Sequence, residues 1–259
     1  MELVHTHCCG LDIHKKSIAA CVIAPGTKGQ IRKEIRTFGT MTEDIGKLSE
    51  WLSACGITHV AMESTGEYWK PIFNILENNF QLLLVNPQHI KTVPGRKTDV
   101  RDCEWIADLL RHGLLRASFV PDRDQRELRD LTRYRTSIIE ERSAEVNRLQ
   151  NTLEGANIRL SSVATDIMGV SGRQMLAAML EGKADPKEMA ELAKGSMREN
   201  PSGKDQLEKA LKGQFGSHQR FMVARQLAHI DYLDETIEQL NQEIAERMRP
   251  FEDVLRRLD

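Results

Sequence analysis

The chain has 259 residues, 40% of them hydrophobic, which is enough for one large domain or two ordinary ones with a buried core. No run approaches the roughly 18 to 20 apolar residues that a membrane span needs, and the N-terminus lacks a signal-peptide pattern, so a cytoplasmic globular protein is expected. The five cysteines form no CxxC pair and read as small buried hydrophobes of a reducing compartment, which argues against a zinc site, and most of the eight histidines read as structural.

In chain order, strand signals at 6–13, 17–24 and 30–38, with a Pro25-Gly26 turn between the last two, predict an antiparallel meander. A helix over 42–54, a strand over 58–63, a helix over 67–78 and a strand over 81–85 follow. The last strand is almost continuously apolar (Leu82, Leu83, Leu84, Val85), which predicts burial on both faces. A polar loop is expected from Asn86-Pro87 through Pro94-Gly95, then a helix over 99–112. This order predicts an α/β fold of the ribonuclease-H-like (RuvC-like) kind, a mixed sheet with helices that gathers carboxylates at strand ends, over residues 1–122.

From about 124 the pattern becomes helical. Leu128, Leu131, Ile138, Val146, Leu149 and Leu153 mark one long helix, and Val223, Ile230, Ile237, Ile244 and Phe251, seven apart, mark a second over 217–249. The second is a coiled-coil seam whose acidic balance makes it a poor DNA surface. Its use is pairing with the first long helix, with another copy of the chain, or with both. Residues 155–216, with short helices expected at 171–181, 186–194 and 204–212, read as an insertion. Residues 123–259 are thus expected to be a helical coiled-coil dimerisation region.

Four acids stand where chemistry is expected. Asp12 and Glu63 each end an apolar strand, while Asp99 and Asp102, three apart, share one face of a helix start. Gathered together, like-charged carboxylates at ~4 Å and an effective dielectric of about 20 would repel by about 4 kcal/mol per pair, which a divalent cation removes. Magnesium, one ion or two, suits oxygen ligands and phosphate chemistry. Each acid also has a plainer use: Asp12 as the cap of a turn, Glu63 or Ser64 as the cap of the next helix, Asp99 as an acid favoured by a helix N-terminus. Two basic stretches follow: Lys91, Arg96, Lys97 and Arg101 around Asp99, and a run between 111 and 135 that includes Arg126, Arg129 and Arg133. They are candidate contacts to a nucleic-acid backbone. Tyr68 and Trp69 are candidates for base stacking, with core packing the commoner use.

Gly-Leu-Asp-Ile-His-Lys at 10–15, Met-Glu-Ser-Thr-Gly-Glu-Tyr-Trp at 62–69, Val-Asn-Pro at 85–87 and Lys-Thr-Asp-Val-Arg-Asp-Cys-Glu-Trp-Ile-Ala-Asp-Leu-Leu at 97–110 are four motifs in order. Together they resemble the DEDD insertion-sequence transposases of the IS-one-ten type, which are RNA-guided recombinases. The resemblance implies magnesium-dependent DNA strand exchange, a coiled-coil dimer, DNA and a structured guide RNA as partners, and Asp12, Glu63, Asp99 and Asp102 as the metal-binding quartet. Glu104 and Asp108 are the acids most easily confused with them. The family continues into a further domain that supplies a nucleophilic serine, so the chain, ending at Asp259, is expected to be a truncated form that binds metal but does not complete strand exchange. An actin-like ATPase or sugar kinase is disfavoured because no second glycine-rich phosphate loop is present. A non-catalytic nucleic-acid-binding or dimerisation module is the alternative.

Overall fold

The computed structural model describes residues 3–26, 30–64, 66–92, 101–164, 166–182, 185–193 and 201–252. The chain divides into two compact units, Met1–Arg123 and Asp124–Asp259.

In the first unit, β1 (Cys8–Ile13), β2 (Ile18–Pro25) and β3 (Ile31–Phe38) form the antiparallel meander, with Gly10 opposite Cys21 and Cys21 opposite Ile35. After α1 (Thr42–Ala54), β4 (His59–Glu63) pairs parallel to β1; after α2 (Trp69–Leu76), β5 (Gln81–Val85) pairs parallel to β4. The sheet order β3-β2-β1-β4-β5 is that of the ribonuclease-H-like fold. Charged Arg32, Lys33, Glu34 and Arg36 along the outer strand β3 discourage pairing with a foreign edge.

Side chains alternate across the sheet and sort into two cores. Cys9, Leu11 and Ile13 of β1 and Val60 and Met62 of β4 pack with Leu48, Leu52, Ile72 and Leu76 of α1 and α2. Cys8 of β1, Ala61 of β4 and Val85 of β5 face the other way, toward Cys103, Ile106, Ala107 and Leu110 of the helix Asp102–Arg111. By the same alternation Gly10, Asp12 and Glu63 belong to that second face.

Two expectations change here. The polar loop after Asn86 begins instead as a short helix, α3 (Pro87–Thr92): Asn86 Oδ1 accepts the Gln88 backbone N–H at 2.9 Å, and Pro87 takes the first helical position, where its missing N–H is no loss. The next helix, α4 (Asp102–Arg111), starts three residues later than expected because Arg101 is extended (φ −63°, ψ 147°). β5 is the last strand of the sheet, and Leu82 and Leu83 are half-buried. Its outer side is covered by a bridge from Val85 to Ala117 and by the Ser118 N–H donating to Leu84 O at 2.7 Å.

The second unit is helical: α5 (Arg123–Gly155), α6 (Val170–Leu180), α7 (Pro186–Glu191), α8 (Pro201–Ala210) and α9 (Ser217–Met248). The two long helices run antiparallel. Arg247 meets Glu127 at 2.9 Å, Arg135 Nε donates to Asn241 Oδ1 at 2.5 Å, Arg142 pairs with Asp234, and His229 lies 3.5 Å from Glu145, each step up one helix matched by a step down the other. Arg173 of α6 also reaches Asp234 at 3.1 Å. Leu149, Leu153, Leu176, Met179, Val223 and Ile230 share one core, so the intervening short helices pack on both long ones. Along the heptad series Val223 and Ile230 are buried, whereas Ile237, Ile244 and Phe251 are only half-buried.

Candidate metal and nucleic-acid site

The last recorded pair between the parallel strands β1 and β4 is Leu11 with Met62, so Asp12 and Glu63 come one residue further along. Strand spacing puts their backbones about 5 Å apart, and alternation turns both toward the α4 face. The first residue of α4 is Asp102, favoured there by the positive end of the helix dipole. What brings this helix end to the strand is Gly10: a Cβ there would stand 2.3 Å from Cys103 O and 2.4 Å from Ala107 N, so only glycine allows β1 and α4 to touch backbone to backbone. Asp12 is half-buried, and burial pushes its carboxyl above the ordinary Asp range. His14, whose Nε2 is 3.3 Å from Asp12 Oδ2, pulls the other way, while the charges of Asp102 and Glu63 push it further up. Three acids therefore share one electrostatic neighbourhood at one end of the sheet.

Among the described residues no three His, Cys, Asp or Glu side chains stand close enough together to hold a metal ion. The oxygen-only donor set of Asp12, Glu63 and Asp102 suits a hard divalent cation, but in this arrangement it is spread wider than a coordination sphere. Asp99, Arg96 and Lys97 lie outside the described residues, as does the Lys91 side chain, and the helical face expected to join Asp99 to Asp102 does not include Arg101.

The neighbouring acids separate cleanly from the set. Glu104 is paired with Lys33, and Asp108 lies 3.8 Å from the same ammonium, which ties α4 to β3. Ser64 does not cap α2, which starts five residues later, after Tyr68; its backbone N–H donates to Val85 O at 2.9 Å instead. Glu63 is the last residue of β4, six residues before α2 begins. Trp69 packs edge-to-face on Phe73 against the core, while Tyr68 is exposed. His14 stands beside Asp12, and its position two residues beyond a strand-end acid is the signal for it in the sequence. The thiols nearby are inert: burial pushes Cys8 up to about 11 and Cys21 up to about 12. Of the basic candidates, Arg101, Arg129 and Arg133 are exposed and Arg126 half-buried, the last three spaced by three and four on one stripe of α5.

The fold is thus a ribonuclease-H-like sheet with carboxylates at the ends of two adjacent parallel strands. Residues 9–158 match the profile of the IS110 (IS-one-ten) DEDD transposase family, described as a transposase, and the chain belongs to that family. It is 45% identical over 137 residues to y4qE, a protein of Sinorhizobium fredii (strain NBRC 101917 / NGR234) named as a transposase, an alignment that covers 51% of this chain. The chain spans about a third (34%) of that curated relative's length. Among solved structures it is similar to Thermus thermophilus RuvC (14% identity, 43% of this chain and 99% of that one, TM-score 0.31). It is also similar to the Fowlpox virus resolvase in complex with substrate Holliday junction DNA (19% identity, 36% of this chain and 65% of that one, TM-score 0.26). No helix among the described residues is long and apolar enough to cross a membrane.

Proposed function

We infer that the first unit is the metal-binding half of the active site of a DNA transposase or recombinase, acting in the cytoplasm. The observation that carries the reading is the placement of Asp12 and Glu63 at one level of adjacent parallel strands, on the face where α4 begins with Asp102. Asp12, Glu63, Asp99 and Asp102 are the residues that would hold magnesium, one ion or two. When bound, magnesium supplies charge stabilisation to a phosphodiester in displacement. The chain's own part is positional. Asp12 anchors the site on the rigid central strand, Gly10 sets the distance to Asp102, and Lys33 keeps Glu104 and Asp108 turned away.

In the second unit Arg126, Arg129 and Arg133 are contacts to DNA or to a structured guide RNA, and in the first unit Lys91, Arg96, Lys97 and Arg101 around Asp99 are a separate set of such contacts. The half-buried end of the heptad series on α9 is the seam through which copies of the chain associate. The alternative, a non-catalytic binding or dimerisation module, leaves the carboxylates without a ligand. Titration calorimetry with magnesium separates the two: the chain is expected to bind, and Asp12→Asn, Glu63→Gln and Asp102→Asn each to lose binding. Folded protein that takes up no magnesium, or variants that bind as the parent does, would establish the module instead.

A further inference from the structure

The same end of the sheet carries an open cleft of about 470 Å³ lined by Asn86, Gln88, His89, Arg116, Ala117 and Ser118. Two segments build it: the chain entering α3, and the stretch held along the outer side of β5 by the Val85–Ala117 bridge and the Ser118-to-Leu84 hydrogen bond. These pairings fix its walls to the sheet.

The described lining carries one permanent cation, Arg116, and no carboxylate. Its remaining polar groups are biased toward donation. Asn86 Oδ1 is occupied by the Gln88 N–H, which leaves its amide NH2 to point elsewhere, and the hydroxyl of Ser118 and the amide of Gln88 add donors. His89 Nε2 lies 3.2 Å from Leu114 O; a carbonyl can only accept, so that nitrogen carries the proton and is spent on Leu114, which holds the ring in place rather than adding a donor. One exposed guanidinium among neutral polar groups, with no carboxylate in the described lining, suits phosphate oxygens.

Location adds the second argument. Glu63 and Val85 are register partners, so Asn86, one residue on, begins about 5 Å sideways from Glu63, and the cleft lies about 10 Å from the strand of Asp12. The cleft is therefore within reach of a neighbouring phosphate on the same strand as one held at Asp12 and Glu63.

We propose that this cleft is a phosphodiester subsite, with Arg116 gripping the backbone of the same nucleic-acid strand whose reacting phosphate lies at the carboxylates. The assignment rests on the carboxylate reading above. Arg116 sets strand position and polarity.

The test uses the full chain, with magnesium binding measured by calorimetry and the binding of a single-stranded DNA oligonucleotide and its RNA counterpart measured by anisotropy over a salt series. Arg116→Ala is expected to weaken binding about five- to tenfold and to lower the salt slope by about 0.7, one phosphate contact on a single strand, with magnesium heat unchanged. Arg116→Lys keeps the slope and recovers part of the affinity, and Ser118→Ala, which retains the backbone bridge, gives a smaller loss. A loss confined to the DNA probe assigns the cleft to a DNA strand, and one confined to the RNA probe to an RNA strand; either supports the subsite. If the parent binds no magnesium, the carboxylate reading fails and the subsite with it. If magnesium binds and Arg116→Ala leaves affinity and slope as in the parent, the cleft alone is refuted.

Discussion

Gly10→Ala should injure both the fold and the metal site, because the added methyl meets backbone on the opposing helix. The new Cβ would sit 2.3 Å from Cys103 O and 2.4 Å from Ala107 N, and neither atom can rotate away. Restoring ordinary contact near 3.4 Å requires α4 to retreat by about 1 Å, loosening its packing of Ile106, Leu109 and Leu110 against the sheet. Overpacking of this kind costs about 1–3 kcal/mol. At about 2.1 cal/mol/K per residue, the 123 residues of the first unit melt with an entropy of about 0.26 kcal/mol/K, so its Tm should fall by about 4–12 °C. The same retreat carries Asp102 away from Asp12, so magnesium affinity should fall in calorimetry even below the melting range. Gly46→Ala is the control: within α1, where nothing lies within 4 Å of the added Cβ, it should stabilise by about 0.5–1 kcal/mol. If Gly10→Ala melts with the parent and binds magnesium equally well, the idea that this contact sets the position of Asp102 is wrong.

Two further outcomes follow from the electrostatics. Asp12 has its pKa raised in the folded chain, chiefly by burial and then by Asp102 and Glu63 against the pull of His14, so the folded state holds that proton more tightly than the unfolded one. The contribution of Asp12 to the stability of the metal-free protein should therefore be fully present below about 3.8 and be lost as pH rises through the elevated range, a pH dependence that Asp12→Asn removes. Metal-free Asp12→Asn should melt a few degrees above the parent at pH 7, whereas magnesium at a hundredfold excess over Kd should add about 2.7 kcal/mol to the parent and nothing to the variant; melting curves that fail to reverse order would sink this account. For the basic stripe, Arg129→Ala combined with Arg133→Ala should lower the salt slope of duplex DNA binding by about 1.8 in a gel-shift series, and an unchanged slope removes α5 from the interface.

Much of the fold was legible because it is written in local periodicity. The apolar runs of β1, β4 and β5 and the three- and four-residue spacing of Ile45, Leu48 and Leu52 need no distant partner to be recognised. Four short motifs in the order of a known family led to the family match that residues 9–158 show. The start of α3 was legible too, in Asn86-Pro87, but a polar stretch after an apolar strand reads more readily as a loop.

What the chain determines by itself is the set of strands and helices, their sequence, and acids placed at strand ends, since each depends on residues within a few positions of one another. Tertiary structure alone decided the relations among them. Parallel register brought Asp12 and Glu63 to one level across 51 positions. A glycine opposite a helix backbone set how near Asp102 comes, and Lys33 drew Glu104, 71 residues away, out of the set. The long heptad helix had equally good partners in α5 or a second copy, and within the chain the alternating ion pairs selected α5. Such choices rest on packing distances and charge pairing between segments far apart along the chain, which no local pattern contains.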